Sequence, residues 1–147
     1  MLRTARILMA LALVVLAPLD AMARWTELRS ENFLFIGDAP ERTIRAVAQK
    51  LEQFREVMVR VLPGVTMTSP VPTVVIVFDR DRSFTPYKPT FQGRTVDAAG
   101  FFLGHEDINY IAINAEASDL AFKIIFHEYA HFLLGNSAGT VPVWVGE

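Results

Sequence analysis

The chain has 147 residues, enough for one domain, and 52% of them are hydrophobic, which is high for a soluble protein. It contains no cysteine, which excludes disulfides and thiolate metal ligands, so any metal ion must be held by histidine and carboxylate side chains. The formal net charge is −2, and the sequence has no cluster of lysines and arginines interleaved with aromatic residues. Both features argue against nucleic-acid binding.

Residues 1–23 have the pattern of a secretory signal peptide. Two arginines stand in the first six residues, an apolar run follows from Ile7 to Ala17, and Ala21 to Ala23 form an A-x-A cleavage motif. The alternative is an uncleaved membrane anchor, but the run is about half of the roughly 20 residues that a spanning helix needs, and Pro18 ends it. We therefore predict cleavage after Ala23, a periplasmic or secreted protein without a stable membrane span, and one domain over residues 24–147.

The sequence of the first part of that domain predicts short strands followed by a helix. The better strand candidate is Asn32 to Ile36. Asp38 is the predicted N-cap of a helix whose apolar residues recur every three or four positions from Ile44 to Val61, until Pro63-Gly64 ends the pattern. Such an amphipathic helix is typical of one that covers a sheet.

A continuous β-branched run from Pro72 to Asp79 predicts a central strand that is buried on both faces. The prolines, the glycine and the mixed charges of residues 80–97 predict a long surface loop that could contain one helical turn. Four of its side chains are in a position to touch a substrate, but they are more simply interpreted as solvated loop residues: Arg80, Arg82, Tyr87 and Arg94.

Residues 98–114 have the pattern of a β-hairpin. Its strands are predicted at Ala98 to Leu103 and Asn109 to Asn114, with His105 and Glu106 in the turn between them. A histidine beside a glutamate in a polar turn is usually just exposed, so we expect both to lie outside the metal site.

The last predicted element is a helix that Ser118 or Asp119 can cap and that runs through Leu134, with Gly135 and Asn136 at its C-terminal end. Apolar residues cover most of its circumference, so we expect the helix to be largely buried. Burying an imidazole or a carboxylate without a partner costs on the order of a few kcal/mol. The polar residues of this helix therefore need partners.

Three of those polar residues, His127, Glu128 and His131, have the H-E-x-x-H spacing of a zinc site. Four residues of helix turn through about 400° and rise about 6 Å, so both histidines project from one face and can share one ion. Glu128 lies about 100° around the helix, where it can deprotonate a metal-bound water without being a ligand. The alternative is a hydrogen-bonded pair of core histidines, but a chance match to the motif has a probability of only about 0.4% in this composition.

Catalytic zinc usually has three protein ligands and one position for water. Beyond His131 the sequence contains no further histidine, aspartate or cysteine, and its only carboxylate side chain is that of Glu147. Glu147 is therefore either the third ligand or a frayed terminal residue, and from the residues alone both interpretations stay open.

The stretch FHEYAHFLLGNSAGTVPVWVGE resembles the active-site region of the gluzincin metallopeptidases, in which H-E-x-x-H is followed by a helix beginning W-[LV]-x-E-G that bears a glutamate ligand. More narrowly, residues 25–147 resemble the peptidase MA-like domains of secreted bacterial proteins, many of which continue into tetratricopeptide repeats. The resemblance implies an α+β, zincin-like fold with His127, His131 and Glu147 as Zn²⁺ ligands and Glu128 as the general base. It also implies that the sequence continues past Glu147, where the oxyanion-stabilising residue, often Tyr or His, would lie.

The resemblance also implies where a substrate binds. In gluzincins an edge strand of the sheet pairs with an extended substrate, and the first strand of the predicted hairpin occupies that place here. The backbone of this strand would bind a peptide or protein substrate by strand addition, through residues Ala98, Ala99, Gly100, Phe101 and Phe102.

The leading hypothesis is thus a zinc-dependent metallopeptidase, the N-terminal part of a longer secreted protein. Zinc would lower the pKa of its water toward about 7, and Glu128 would take the proton and pass it to the leaving amine. The alternative is a non-catalytic binding module that keeps a metal for stability while the edge strand and any downstream repeats recruit partners. Because a binding module needs no base beside the ion, Glu128 favours the enzyme.

Overall fold

The computed structural model describes residues 25–62 and 68–136. In chain order its elements are β1 (Thr26–Arg29), β2 (Leu34–Gly37), α1 (Glu41–Val61), β3 (Thr73–Phe78), α2 (Asp81–Phe84), β4 (Thr90–Phe91), β5 (Arg94–Thr95), β6 (Gly100–Leu103), β7 (Asn109–Asn114) and α3 (Ser118–Gly135). Short 3₁₀ turns at Thr85–Tyr87 and Ala115–Ala117 follow α2 and precede α3. The predicted signal peptide, the helix stop at Pro63-Gly64 and Glu147 lie outside the described residues.

One mixed sheet organises the domain, with five strands in the order β1-β2-β3-β7-β6. The inner strands β2, β3 and β7 are parallel, whereas β1 and β6 run antiparallel to their neighbours. The predicted central strand is confirmed, since β3 lies in the middle of the sheet and every residue of it except Ile76 is buried. The predicted hairpin is confirmed as β6 and β7, and the predicted α+β class agrees with this mixed sheet and its helices.

Helices α1 and α3 cover one face of the sheet. Ile44 and Leu51 of α1 and Ile125 of α3 have no exposed surface and share one apolar core with Val75 of β3. The rings of Phe54 and Phe126 stack between the two helices with centroids 4.3 Å apart. Burying a side chain of this size contributes roughly 1.5 to 3 kcal/mol, so this face supplies most of the packing that positions α3. In residues 25–62 and 68–136 no helix has the length and apolar character needed to cross a membrane.

The opposite face of the sheet is covered by the segment that the sequence predicts as a surface loop. The single helical turn is present as α2, but the prediction of an otherwise irregular loop is wrong, because residues 85–95 form a 3₁₀ turn and the β4–β5 hairpin. Phe84 of α2 is fully buried against Phe78 of β3, with ring centroids 5.5 Å apart, so the segment covers the sheet with an apolar contact. The four side chains interpreted as solvated are all exposed, as predicted: Arg80, Arg82, Tyr87 and Arg94.

The predicted N-cap of α1, Asp38, is wrong. The helix begins after Pro40, which occupies the cap position without a side-chain hydrogen bond. The Asp38 carboxylate instead accepts a hydrogen bond of 2.8 Å from the backbone N–H of Asp79. It therefore joins the ends of the parallel strands β2 and β3, a contact between distant residues that the local pattern does not reveal.

The predicted caps of α3, Ser118 and Asp119, are also wrong. The cap position is Ala117, which makes no side-chain hydrogen bond. The 3₁₀ turn before it is capped by Asn114, whose side-chain oxygen accepts a hydrogen bond of 3.1 Å from the backbone N–H of Glu116. The polar cap thus stands at the end of β7, one turn earlier than predicted.

Candidate metal centre

Helix α3 has a buried side and an exposed side. The fully buried positions recur every four residues, at Ala121, Ile125, Tyr129 and Leu133. His127, Glu128 and His131 are all exposed. The expectation that α3 is largely buried is therefore wrong for this side, where the imidazoles and the carboxylate keep their hydration and avoid the cost of burial.

The two histidines converge on one point. Their Nε2 atoms are 3.2 Å apart, and the rings meet edge to face with centroids 4.5 Å apart and an interplanar angle of 80°. The same distance allows one ring to donate a hydrogen bond to the other, which is the contact of the alternative interpretation. Both rings are exposed, however, so they do not form the pair of core histidines which that alternative requires.

The geometry of this pair fits two ligands of a single ion. In a tetrahedral zinc site with Zn–N bonds of about 2.0 to 2.1 Å, two ligand nitrogens lie about 3.3 to 3.4 Å apart. The observed Nε2–Nε2 distance is 3.2 Å. Imidazole is also among the ligand types that zinc prefers, so both the spacing and the chemistry of the donors are suitable.

The pair alone does not complete a site. Over residues 25–62 and 68–136, no group of three or more histidine, cysteine, aspartate or glutamate side chains is placed to hold a metal ion. Glu147, the predicted third ligand, lies outside these residues. Glu128 is exposed on the same side of α3 as the two histidines, one residue after the first of them. The structure thus brings together the two predicted imidazole ligands and leaves Glu147 as a prediction.

His105 and Glu106 lie in the turn between β6 and β7, where both are exposed. Their predicted position in that turn is confirmed. Neither belongs to a three-residue metal group within the described part of the chain.

Tyr129, between the two histidines, anchors α3 in the core. It lies about 200° around the helix from His127, so its ring enters the core while the imidazoles face outward. Its ring is fully buried between Phe33 and Phe102, with centroid distances of 5.6 and 5.9 Å. The guanidinium of Arg55 on α1 donates a hydrogen bond of 2.7 Å to the Tyr129 hydroxyl. Burial raises the pKa of Tyr129, which keeps the phenol neutral.

Sequence reasoning missed this anchor, because it selected the residues of the motif and the purely apolar positions. The available signal was the spacing: Tyr129 is four residues after Ile125 and four before Leu133, on the buried side. Arg55 carried no comparable signal, since its partner is 74 residues away along the chain.

Strand β6 packs closely on the same helix. A Cβ atom at Gly100 would lie 2.9 Å from Ile125 Cδ1 and 2.9 Å from the carbonyl oxygen of Ala112, so a side chain there would push β6 away from α3. Phe102, two residues on, places its ring 5.1 Å from that of Phe132. The glycine thereby holds the outer strand against the helix that bears the histidines.

A strand is present at the predicted place, but it is shorter than predicted. β6 is the last strand in the order of the sheet, and its recorded strand partner is β7. The strand begins at Gly100, so Ala98 and Ala99 precede it, although the Ala99 carbonyl still accepts a hydrogen bond of 2.9 Å from the backbone N–H of Asn114. Binding of a peptide along β6 stays a prediction.

The sequence matches no protein-family model and no curated protein. The resemblance to gluzincins therefore depends on the motif residues and their spacing. Within the described residues, the observation that bears on it is the convergence of His127 and His131 on the exposed side of α3.

Proposed function

We propose that this chain belongs to a zinc-dependent metallopeptidase of gluzincin type with a zincin-like fold. The observation that carries the proposal is the 3.2 Å separation of the His127 and His131 Nε2 atoms on an exposed face of α3. Two imidazoles at this distance are suited to one tetrahedral ion, and a carboxylate follows the first of them directly.

His127, His131 and Glu147 hold the metal in this proposal. A zinc ion there would lower the pKa of a water molecule toward about 7 and polarise the carbonyl group of the scissile peptide bond. Glu128 accepts the proton of the attacking water and donates it to the amine leaving group, which converts the amine into a better leaving group. Its exposure leaves the carboxylate free to reach a substrate that lies above α3.

The substrate is an extended peptide that pairs with the outer edge of β6. Main-chain hydrogen bonds supply affinity in this mode and require no particular side chain on the strand. The close packing at Gly100 sets the distance between that edge and α3, because a bulkier residue would contact Ile125. The peptide backbone would thereby lie beside the helix that carries the histidines.

The decisive experiment on this proposal is Glu128→Gln in a protein that extends past Glu147, where the resemblance implies the oxyanion-stabilising residue. The substitution keeps the shape of the side chain and removes its basicity, so zinc binding should persist while peptide hydrolysis falls by a factor on the order of 10² to 10⁴. Calorimetric zinc titration and hydrolysis of a quenched fluorescent peptide measure the two effects. Glu31→Gln, at an exposed position between β1 and β2, is the matched control and should change neither.

Each outcome of that experiment is informative. Equal loss of zinc and hydrolysis would identify Glu128 as a ligand. Hydrolysis that survives the substitution would remove Glu128 from the mechanism. Zinc binding without hydrolysis in the unsubstituted protein would favour the non-catalytic binding module.

The third ligand is tested by Glu147→Ala in the same extended protein. If Glu147 ligates zinc, its removal should weaken zinc binding by more than the roughly 10- to 100-fold cost of losing a residue that only supports a ligand. Zinc affinity that stays unchanged would reject the gluzincin ligand set. His105 and Glu106 would then be the first residues to substitute in search of the missing ligand.

A further inference from the structure

An apolar groove lies on the face of the sheet opposite α1 and α3. Its volume is about 430 Å³, within the range of roughly 300 to 1,000 Å³ that is common for ligand sites. The residues that line it are all uncharged, among them Ile76, Phe78, Tyr87, Phe101, Leu103 and Tyr110. The groove therefore favours an uncharged apolar group, because a charge placed there would lose hydration without gaining a partner.

Strand β6 connects this groove with the opposite face of the sheet, on which α3 packs. Successive side chains of a strand point to opposite faces of the sheet. Gly100 and Phe102 face α3, where Phe102 packs against Phe132. Phe101 and Leu103 face the other way and line the groove, where Phe102 between them is also a lining residue. A single strand thus borders the groove on one face of the sheet and α3 on the other.

A peptide added to the outer edge of β6 would repeat this alternation. Residues directly opposite each other in paired strands place their side chains on the same face of the sheet. The peptide residue opposite Gly100 or Phe102 would point toward the α3 face, and its neighbour opposite Phe101 or Leu103 would point toward the groove. Leu103 and Tyr87 at the groove are 51% and 58% exposed, so apolar surface is open to an incoming side chain.

We propose that this groove is a specificity site that takes an aromatic or branched aliphatic side chain of a peptide bound along β6. The proposal rests on the proposed function for its occupant, since both require a peptide on the same edge strand. It adds a selection rule: the preferred residue is one whose side chain points away from α3 and into the groove. The strand-addition contacts tolerate any sequence, whereas the groove discriminates by burial of apolar surface.

The test compares the binding of two peptides that differ at one residue. Both are fluorescein-labelled nonapeptides of alternating Thr and Ser, one with Phe and one with Ser at the central position. Binding to the whole chain is followed by fluorescence anisotropy in the presence of EDTA, so that hydrolysis does not interfere. Burying the Phe side chain in the groove recovers part of the free energy of its transfer from water to an apolar environment. The Phe peptide should therefore bind about tenfold more tightly than the Ser peptide.

Two leucines of similar exposure provide the variant and its control. Leu103→Lys places a charge at the groove and should reduce the preference for the Phe peptide to less than about twofold, because the ammonium group keeps water there. Leu120→Lys, at a position that is 56% exposed on α3 and is not part of the groove, should retain the preference. Circular dichroism of both variants verifies that they are folded.

Several results would overturn the groove assignment. These are equal affinity for the two peptides, absence of binding by either, or a Phe preference that survives Leu103→Lys. A dimer that dissociates on Leu103→Lys, measured by sedimentation, would show that a second copy occupies the groove and would also overturn it. If the Phe preference behaves as expected but the zinc-loaded protein hydrolyses no peptide, the groove stands and the proposed peptidase activity fails.

Discussion

The two sides of α3 separate the residues that maintain the fold from those proposed to perform chemistry. One side buries Ile125, Tyr129 and Leu133 completely in the core between the helices and the sheet. The other exposes His127 and His131 with their Nε2 atoms 3.2 Å apart. Because the two sets alternate along one rigid helix, the packing of the first fixes the direction in which the second points.

This arrangement means that stability and metal binding should respond to different substitutions. Apolar residues on the buried side stabilise the domain through the surface that they remove from water. Exposed histidines remove little surface from water, so they contribute little to the free energy of unfolding in the absence of metal. Substitutions that change one property and leave the other alone would establish the comparison, and substitutions that change both would break it.

The largest effect is expected from His131→Ala. Losing one of two converging imidazoles leaves no pair to share an ion. Removing a residue that only supports a metal ligand lowers metal affinity by up to roughly 100-fold, so loss of a ligand itself should lower zinc affinity by much more. The free energy of unfolding measured with EDTA should stay within about 0.5 kcal/mol of the original, since the side chain is exposed. Calorimetry and urea denaturation measure the two quantities. Unchanged zinc affinity would eliminate the proposed site.

The reverse pattern is expected from Ile125→Ala on the buried side. Removing a fully buried isoleucine loses its transfer free energy and leaves a cavity, so the free energy of unfolding should drop by about 2 to 5 kcal/mol. Zinc affinity of the folded protein should be retained. Leu120→Ala, at a position that is 56% exposed, is the control and should cost no more than about 0.5 kcal/mol. A cost below about 1 kcal/mol for Ile125→Ala would contradict the described core.

Hydrophobic patterning was sufficient to predict the main elements of this fold. The β-branched run at β3, the helical periodicity of α1 and the alternation in β6 and β7 each have a local physical cause. The predicted helix caps failed for different reasons. Asp38 binds the backbone of Asp79 at the end of another strand, so a tertiary contact uses its side chain. Helix α3 begins directly after a 3₁₀ turn that Asn114 caps, so Ser118 and Asp119 already lie within the helix.

The two histidine positions were predictable because the motif spacing and the helix repeat are both local. The exposure of that side of α3 was not predictable, because the sequence of a helix rich in apolar residues does not reveal which positions face water. The fold of residues 80–97 was missed for a related reason. Their prolines and charges indicate a loop, while the burial of Phe84 depends on Phe78, a partner on the adjacent sheet.

The smallest effect, and the sharpest check of the division between the two sides, is expected from Tyr129→Phe. The substitution retains a ring between Phe33 and Phe102 and removes only the hydroxyl that accepts the 2.7 Å hydrogen bond from Arg55. A hydrogen bond to a charged group contributes about 1.5 to 3 kcal/mol, which the substitution removes. Part of this free energy is regained, because folding no longer has to desolvate a phenol hydroxyl. We therefore expect the free energy of unfolding to decrease by about 1 to 2 kcal/mol. Zinc affinity and peptide hydrolysis should be unchanged, because the ring alone keeps the rotational setting of α3.

Arg55→Met should cost a similar amount of unfolding free energy in the original protein and less in the Tyr129→Phe background, since both substitutions remove the same hydrogen bond. A fall in zinc affinity on Tyr129→Phe, with little change in stability, would show that the hydroxyl acts on the histidine pair and that the two sides of α3 are coupled.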